Sequence, residues 1–296
     1  MSPRQEKSTM LEIRKTYKLF IGGNFVRSES GRSLAHKNPK GQYVANYSHA
    51  SRKDLRDAIS SARTAFEKWQ DRTPYLRSQI LYRCAEMFQG RILEMVREIC
   101  RAAAIPESEA QKECELCADR LVYYAGWADK YQQVFGATNT VASPHFNFTF
   151  PEPCGVVVAV LPARPLLLPL VSILCPVILS GNTIVLIAQG DASLPGLAFS
   201  EIVATSDIPA GVVNILTAPA PELAVHIASH MDINAVVDAT GTPEVSQKLQ
   251  EGTAYNMKRY TARPLDAAKW FSSEAETPYW ILDTVEMKTA WHPIGL

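Results

Sequence analysis

Two hydrophobic periods alternate along this chain, and one stretch carries both. Residues 155–161 (GVVVAVL) form a short valine-rich run closed by Pro162, and residues 183–188 (TIVLIA) form a second. Between them, residues 166–179 are apolar over a helical length, and Ser180-Gly181-Asn182 supplies a turn. Strands apolar on both faces belong to a parallel sheet, so this stretch predicts a βαβ unit. Further downstream, the pattern predicts a helix over 194–205 and the turn Ile208-Pro209-Ala210-Gly211. It then gives a strand over 212–216, a helix over 221–230, a strand over 234–237, a helix reaching Gln250 and a last strand near 257–261. Short strands alternating with helices imply an α/β fold with a right-handed, doubly wound parallel sheet.

Upstream the pattern differs. Tyr17 to Ile21 alternates up to Gly22-Gly23-Asn24 and Phe25-Val26, which predicts a β-hairpin. Asn38-Pro39-Lys40-Gly41 is a turn leading into a strand over 43–47. Ser51-Arg52-Lys53-Asp54 resembles a capping box with Asp in place of Glu. Behind it, Leu55, Ala58, Ile59, Ala62, Phe66 and Trp69 recur on one helical face. A second helix is expected from Pro74 through Ile99, and a third from Pro106 to about Phe135. His145 to Phe150 alternates aromatic with polar residues, as a half-exposed strand does. Beyond Arg263 the periodicity loosens: 279–282 and 285–291 read as strands little different from loop.

Composition narrows the class. With 296 residues, 47% hydrophobic and 20% charged, the chain can bury a full core. A formal net charge of zero gives no case for nucleic acid or an anionic membrane surface as partner. The uncharged run 165–188 is long enough to span a bilayer, but Pro169, Pro176 and Ser180-Gly181-Asn182 divide it, and a buried parallel sheet is equally apolar. The start of the chain, MSPRQEKSTMLEIRK, lacks the apolar core of a secretory signal. The cysteines (Cys84, Cys100, Cys114, Cys117, Cys154 and Cys175) show no disulfide-framework spacing and read as reduced thiols of a cytoplasmic protein. Cys114 and Cys117, and likewise His226 and His230, have spacings suited to a metal. Neither pair has further ligands in view, so helix packing and a solvated helix face account for them, and no metal is expected.

Several phrases in order then resemble the aldehyde dehydrogenase superfamily, over about residues 17–261. They are Glu152-Pro153-Cys154-Gly155-Val156-Val157, Gly181-Asn182-Thr183-Ile184-Val185-Leu186, Ile208-Pro209-Ala210-Gly211-Val212-Val213-Asn214 and Thr240-Gly241-Thr242-Pro243-Glu244-Val245. The resemblance implies a Rossmann-like nucleotide-binding domain over residues 1–264, with the oligomerisation strand 144–153 inserted and N-terminal helices beside it. Residues 265–296 would be a linker and a C-terminal oligomerisation strand, 285–291. It also implies NAD or NADP as a possible cofactor with binding weak or lost, Pro162, Arg164, Gly241, Thr242 and Val245 being vestigial contacts.

Departures from the family pattern concern the chemistry itself. Arg164 stands where the family has the asparagine that stabilises an oxyanion. Ile187 and Gly190 replace the lysine and glutamate that hold the adenosine ribose, and Ala218 and Ala220 replace glycines near the adenine end. Arg263 replaces the general-base glutamate. No cysteine follows Cys175, and only about twenty residues separate Arg263 from the final strand. The catalytic domain with its nucleophile is therefore missing. Thiol-mediated aldehyde oxidation needs a thiolate, an oxyanion donor and a base, and none stands at its family position. The coherent family-like ending argues for a natural deletion, as in the shortened second unit of tandem aldehyde dehydrogenases.

Three functions follow as expectations. The first is an inactive structural or regulatory partner of a full-length aldehyde dehydrogenase, joined through Pro144 to Pro153 and Val285 to Trp291, which also suit self-association. The second is a nucleotide-binding module without chemistry, and the third an NAD(P)-dependent oxidoreductase acting on an aldehyde with other groups. Thr240-Gly241-Thr242 could hold a phosphate at a helix N-terminus; with the ribose pair replaced, an ordinary N-cap by Thr242 with Pro243 behind it explains it better.

Overall fold

A computed structural model describes residues 15–295. The stretch 1–14, on which the absence of a signal sequence was read, lies outside the described residues. A seven-stranded sheet forms the centre, in the order Arg259–Ala262, Ala235–Asp238, Val156–Val160, Thr183–Ala188, Val213–Thr217, Leu19–Ile21, Asn24–Val26. The first five are parallel, and the hairpin joins antiparallel through Ile215 and Phe20. The expected Rossmann-like α/β sheet is thus present. The chain enters at Val156–Val160, builds outward through Thr183–Ala188 and Val213–Thr217, then returns to lay Ala235–Asp238 on the opposite side. The winding direction therefore switches between Val160 and Asp238, which are register partners.

Alternation within the strands divides the core. Val157, Ala159, Ile184 and Leu186 face the layer of helices Pro74–Gly90, Ile92–Ala103, Glu107–Ala125, Leu168–Leu179 and Ser193–Ala204. Val156, Val158, Val160, Val185 and Ile187 face helices Arg52–Gln70, Ala220–Ser229 and Pro243–Ala254. The capping box of Arg52–Gln70 is formed: the Ser51 hydroxyl accepts from the amides of Lys53 and Asp54, and Asp54 accepts from the Ser51 amide. Leu168–Leu179 is buried throughout and has no local cap. The Glu113 carboxylate instead accepts from the Leu167 and Leu168 amides at 2.6 and 2.9 Å. Burial pushes this carboxyl above its ordinary value, against those bonds.

Some expectations are corrected. The helix from Pro74 does not continue to Ile99; it breaks at Arg91 into Pro74–Gly90 and Ile92–Ala103. Arg91 leaves the helical region (φ −115°, ψ 14°) and its guanidinium is drawn to Glu94 and, across the fold, to Glu201 at 2.7 Å. The apolar face continues through the break, so periodicity alone cannot reveal it. Likewise the third helix ends at Ala125, and a separate turn of helix, Tyr131–Phe135, follows. Strands Ser33–Lys37 and Ala137–Asn139 were not anticipated.

Residues 279–282 are not a strand but part of a 3₁₀ helix, Pro278–Thr284, which buries Trp280 and Ile281. This end of the chain packs on the helices: Arg120, 1% exposed, donates to the carbonyls of Trp270 and Ser272 and to the Ser172 hydroxyl. Asn182 fixes the junction. Its amide oxygen accepts from the Gly155 amide at 2.8 Å, and its amide nitrogen donates to the Thr284 carbonyl at 2.7 Å. Beyond Thr284, Val285–Pro293 pairs antiparallel with His145–Pro153 over nine residues, and Ala137–Asn139 completes a separate three-stranded sheet. Among the described residues no helix is long and apolar enough to cross a membrane.

Candidate functional site

In an open parallel sheet, ligands lie outside the carboxyl ends of the strands, at the point where the winding reverses. Five chain segments meet there because their strands run the same way. Pro162-Ala163-Arg164 follows Val156–Val160, Gln189-Gly190-Asp191 follows Thr183–Ala188, and Ala218-Pro219-Ala220 follows Val213–Thr217. Thr240-Gly241-Thr242 follows Ala235–Asp238, and Arg263 follows Arg259–Ala262. The Ala239 amide donates to the Val160 carbonyl at 2.9 Å. Pro162 and Thr240-Gly241-Thr242 thus follow adjacent strand ends, where a crevice of this fold class would lie.

Polar groups at this edge are engaged with one another. The Gln189 amide nitrogen donates to the Leu161 carbonyl at 2.8 Å, and its oxygen accepts from the Ala220 amide at 3.1 Å. That side chain ties three strand ends together and takes an amide at the start of helix Ala220–Ser229. Arg164 is exposed and turns to Asp191 at 2.6 Å. Asp238, 1% exposed, accepts from the Thr240 amide and hydroxyl, from the Ser246 hydroxyl and from the Tyr260 hydroxyl. A buried carboxylate is stable only when it is satisfied in this way. Ile187, Ala218, Ala220 and Val245 are buried in the core.

Gly190 lies in the left-handed region at φ 58°. A Cβ there meets the Ala163 Cβ at 3.2 Å. Gly241 is different: it is exposed, and the nearest atom to an added Cβ is 3.8 Å away. Thr242 occupies the cap position of helix Pro243–Ala254, but its side chain makes no capping bond. The expected N-cap role is corrected to that extent. The loop is held instead by the Thr240 hydroxyl, which accepts from the Thr242 amide at 3.2 Å and donates to Asp238.

Arg263 grips Asp283 through one guanidinium nitrogen at 2.6 and 2.5 Å and lies 5.2 Å from the Trp280 ring centroid. Burial pushes the Asp283 carboxyl up to about 6, with Arg263 opposing it. None of the thiols has thiolate character. Burial raises Cys84, Cys114 and Cys154 to about 12, Cys117 and Cys175 well above their ordinary value, and Cys100 as well, Glu107 adding to it. Cys114 and Cys117 lie inside helix Glu107–Ala125.

Sequence reasoning missed Gln189 as a crosslink and missed Asp191, Asp238 and Asp283. An acid ending the apolar run Ala-Val-Val-Asp, just before Thr-Gly-Thr, was the one available signal, for Asp238.

The aldehyde dehydrogenase family profile matches residues 25–263. Cytosolic aldehyde dehydrogenase 1 of Elephantulus edwardii is 31% identical over 259 residues, covering 86% of this chain and 51% of that protein. The NADP(+)-dependent D-glyceraldehyde dehydrogenase of Thermoplasma acidophilum is also 31% identical, over 82% of this chain and 49% of its own length. Among solved structures, the NAD-dependent aldehyde dehydrogenase of Sinorhizobium meliloti superposes with a TM-score of 0.80 at 26% identity, covering 87% of this chain and 52% of that one. The NAD+ complex of the Bacillus cereus enzyme gives 0.79 at 26%, over 84% and 50%. The chain thus spans about half the length of the relatives it matches.

Proposed function

The chain belongs to the aldehyde dehydrogenase family, and on that premise we propose that it is a non-catalytic subunit, a structural or regulatory partner of a full-length aldehyde dehydrogenase. One observation carries this reading: an outward sheet edge is available while the crevice chemistry is spent internally. Val285–Pro293 borders the three-stranded sheet on one side, with no strand beyond it among the described residues. Met287, Lys288, Thr289, Trp291 and His292 along it are exposed. An unpaired edge is a template for another chain's strand. Phe146, Phe148 and Phe150 stack along one face of the same sheet at 5.3 and 5.7 Å between centroids. A second copy of this chain could use the same edge.

The residues at the crevice fit a dinucleotide poorly. Gln189 occupies the Ala220 amide, Ile187 offers no group to a ribose, and Gly190 bears no side chain. Aldehyde oxidation through a thiolate has no donor among six thiols all raised by burial, and Arg263 is committed to Asp283. Unpaired cysteines throughout support a reducing, cytoplasmic setting. The test is co-purification of the tagged chain from its native cells, with mass from light scattering. A stoichiometric complex with a full-length aldehyde dehydrogenase is expected; a lone monomer or homo-oligomer removes the reading, as does turnover of any aldehyde by the isolated chain.

A second reading, a nucleotide-binding module without chemistry, is favoured by the open surface at Gly241 and the uncapped helix behind it. Saturable NAD binding by the isolated chain, in calorimetric titration, would establish it over the first.

A further inference from the structure

Helices Arg52–Gln70 and Ala220–Ser229 run side by side, and between them lies a cleft of about 350 Å³. Its walls carry Arg52, Lys53 and Arg56 from the first turns of one helix, and His226 and His230 from the other helix and its cap. We propose that this cleft binds a phosphate dianion, either free or as the end group of a small phosphorylated metabolite, at a place separate from the strand-end crevice.

Three observations converge. Like charges are gathered here in a chain whose net charge is zero. Lys53 reaches Glu29 only at 3.7 Å and Arg56 has its sequence neighbour Asp57 at 3.4 Å, while Arg52 has no carboxylate partner among the described residues. Of the other acids nearby, Glu222 holds His49 at 2.8 Å and Asp54 is bonded to Ser28 and Ser51, while Asp232 lies beside His230 as an opposing charge. Second, these cations sit at a helix N-terminus, where the macrodipole penalises positive charge. A bound anion would offset that penalty. Third, His230 is a ready donor. Its Nδ1 accepts from the Asp232 amide at 3.3 Å, which leaves Nε2 to carry the proton in the neutral ring. The site does not rest on helix amides, since Ser51 already takes those of Lys53 and Asp54.

Two guanidinium forks with imidazole donors match the oxygens of a phosphate better than a single carboxylate. The cleft is larger than free phosphate needs, so an organic group can accompany it. Arg52 and Arg56 are exposed, so changing them leaves the core intact.

The test is a thermal-shift and calorimetric titration of the full chain with inorganic phosphate and with glycerol phosphate, at ionic strength held constant with chloride. Saturable binding is expected, weakened about tenfold by Arg52→Gln or Arg56→Gln alone, as for loss of one charged hydrogen-bonding partner. In the double variant it should vanish. Tighter binding of glycerol phosphate assigns an ester; equal or weaker binding assigns the free anion. Should the double variant misfold by circular dichroism, His226→Asn and Arg52→Gln singly carry the same comparison. No saturable response, or one unchanged in the variants, overturns the proposal.

Discussion

Arg263 is one half of an ion pair with Asp283. Replacing it with methionine tests that assignment. The side chains of Arg263 and Asp283 are 26% and 17% exposed, between a surface pair, worth at most about 1 kcal/mol, and a fully buried one, whose breakage costs about 3–5 kcal/mol. Arg263→Met should therefore cost about 2–3 kcal/mol at pH 7.5, mostly from stranding the Asp283 carboxylate. The sign of the pH dependence follows. Asp283 is held at about 6, above the value of about 3.9 in an unfolded chain. Protonating it favours the folded state, so its contribution is fully present below about pH 4 and is lost as pH rises through about 6. Arg263 opposes that rise, so removing it pushes the carboxyl higher. The variant's deficit should then shrink between pH 7.5 and pH 5. Urea denaturation at both pH values measures it, with Asp283→Asn as the reference in which this dependence disappears. A deficit equal at both pH values, or none at pH 7.5, refutes the pair as described.

Asn182→Ala removes an acceptor from the Gly155 amide and a donor from the Thr284 carbonyl. Leaving both groups buried and unpaired should lower stability by about 2–4 kcal/mol, read as a shifted urea midpoint. Iodoacetamide at pH 7.5 should modify the native thiols slowly, Cys100 and Cys154 first because both are only half buried, and all six at once in denaturant; a fast native thiol other than these two contradicts the burial assigned to them. Gly190→Glu should cost about 1–2 kcal/mol because a side chain is forced into a left-handed backbone, with added crowding at Ala163. It should not create NAD binding, and calorimetric titration of a stable variant that does bind NAD would show the crevice to be adaptable.

The sequence by itself determined the sheet. Its strands, residues 156–160, 183–188, 213–217 and 235–238, are apolar on both faces, and that pattern has few solutions other than a parallel layer between helices. The capping box at Ser51 and the Gly22-Gly23 hairpin were equally legible, since each is a local device whose partners lie within a few residues. The departures expected from the family pattern at positions 164, 187, 190 and 263 were also read as residue types. What those residues do instead was settled only by tertiary structure. Arg164 meets Asp191, Gln189 bridges two neighbouring strand ends, and Arg263 finds Asp283 twenty residues on. Arg91, at the helix break, bonds Glu201 more than a hundred residues away. The looseness after Arg263 had the same origin. Residues 265–284 have no period of their own because Trp270, Trp280 and Ile281 are buried one at a time against helices built earlier in the chain. Periodic burial leaves a mark in sequence; single contacts between distant segments leave almost none.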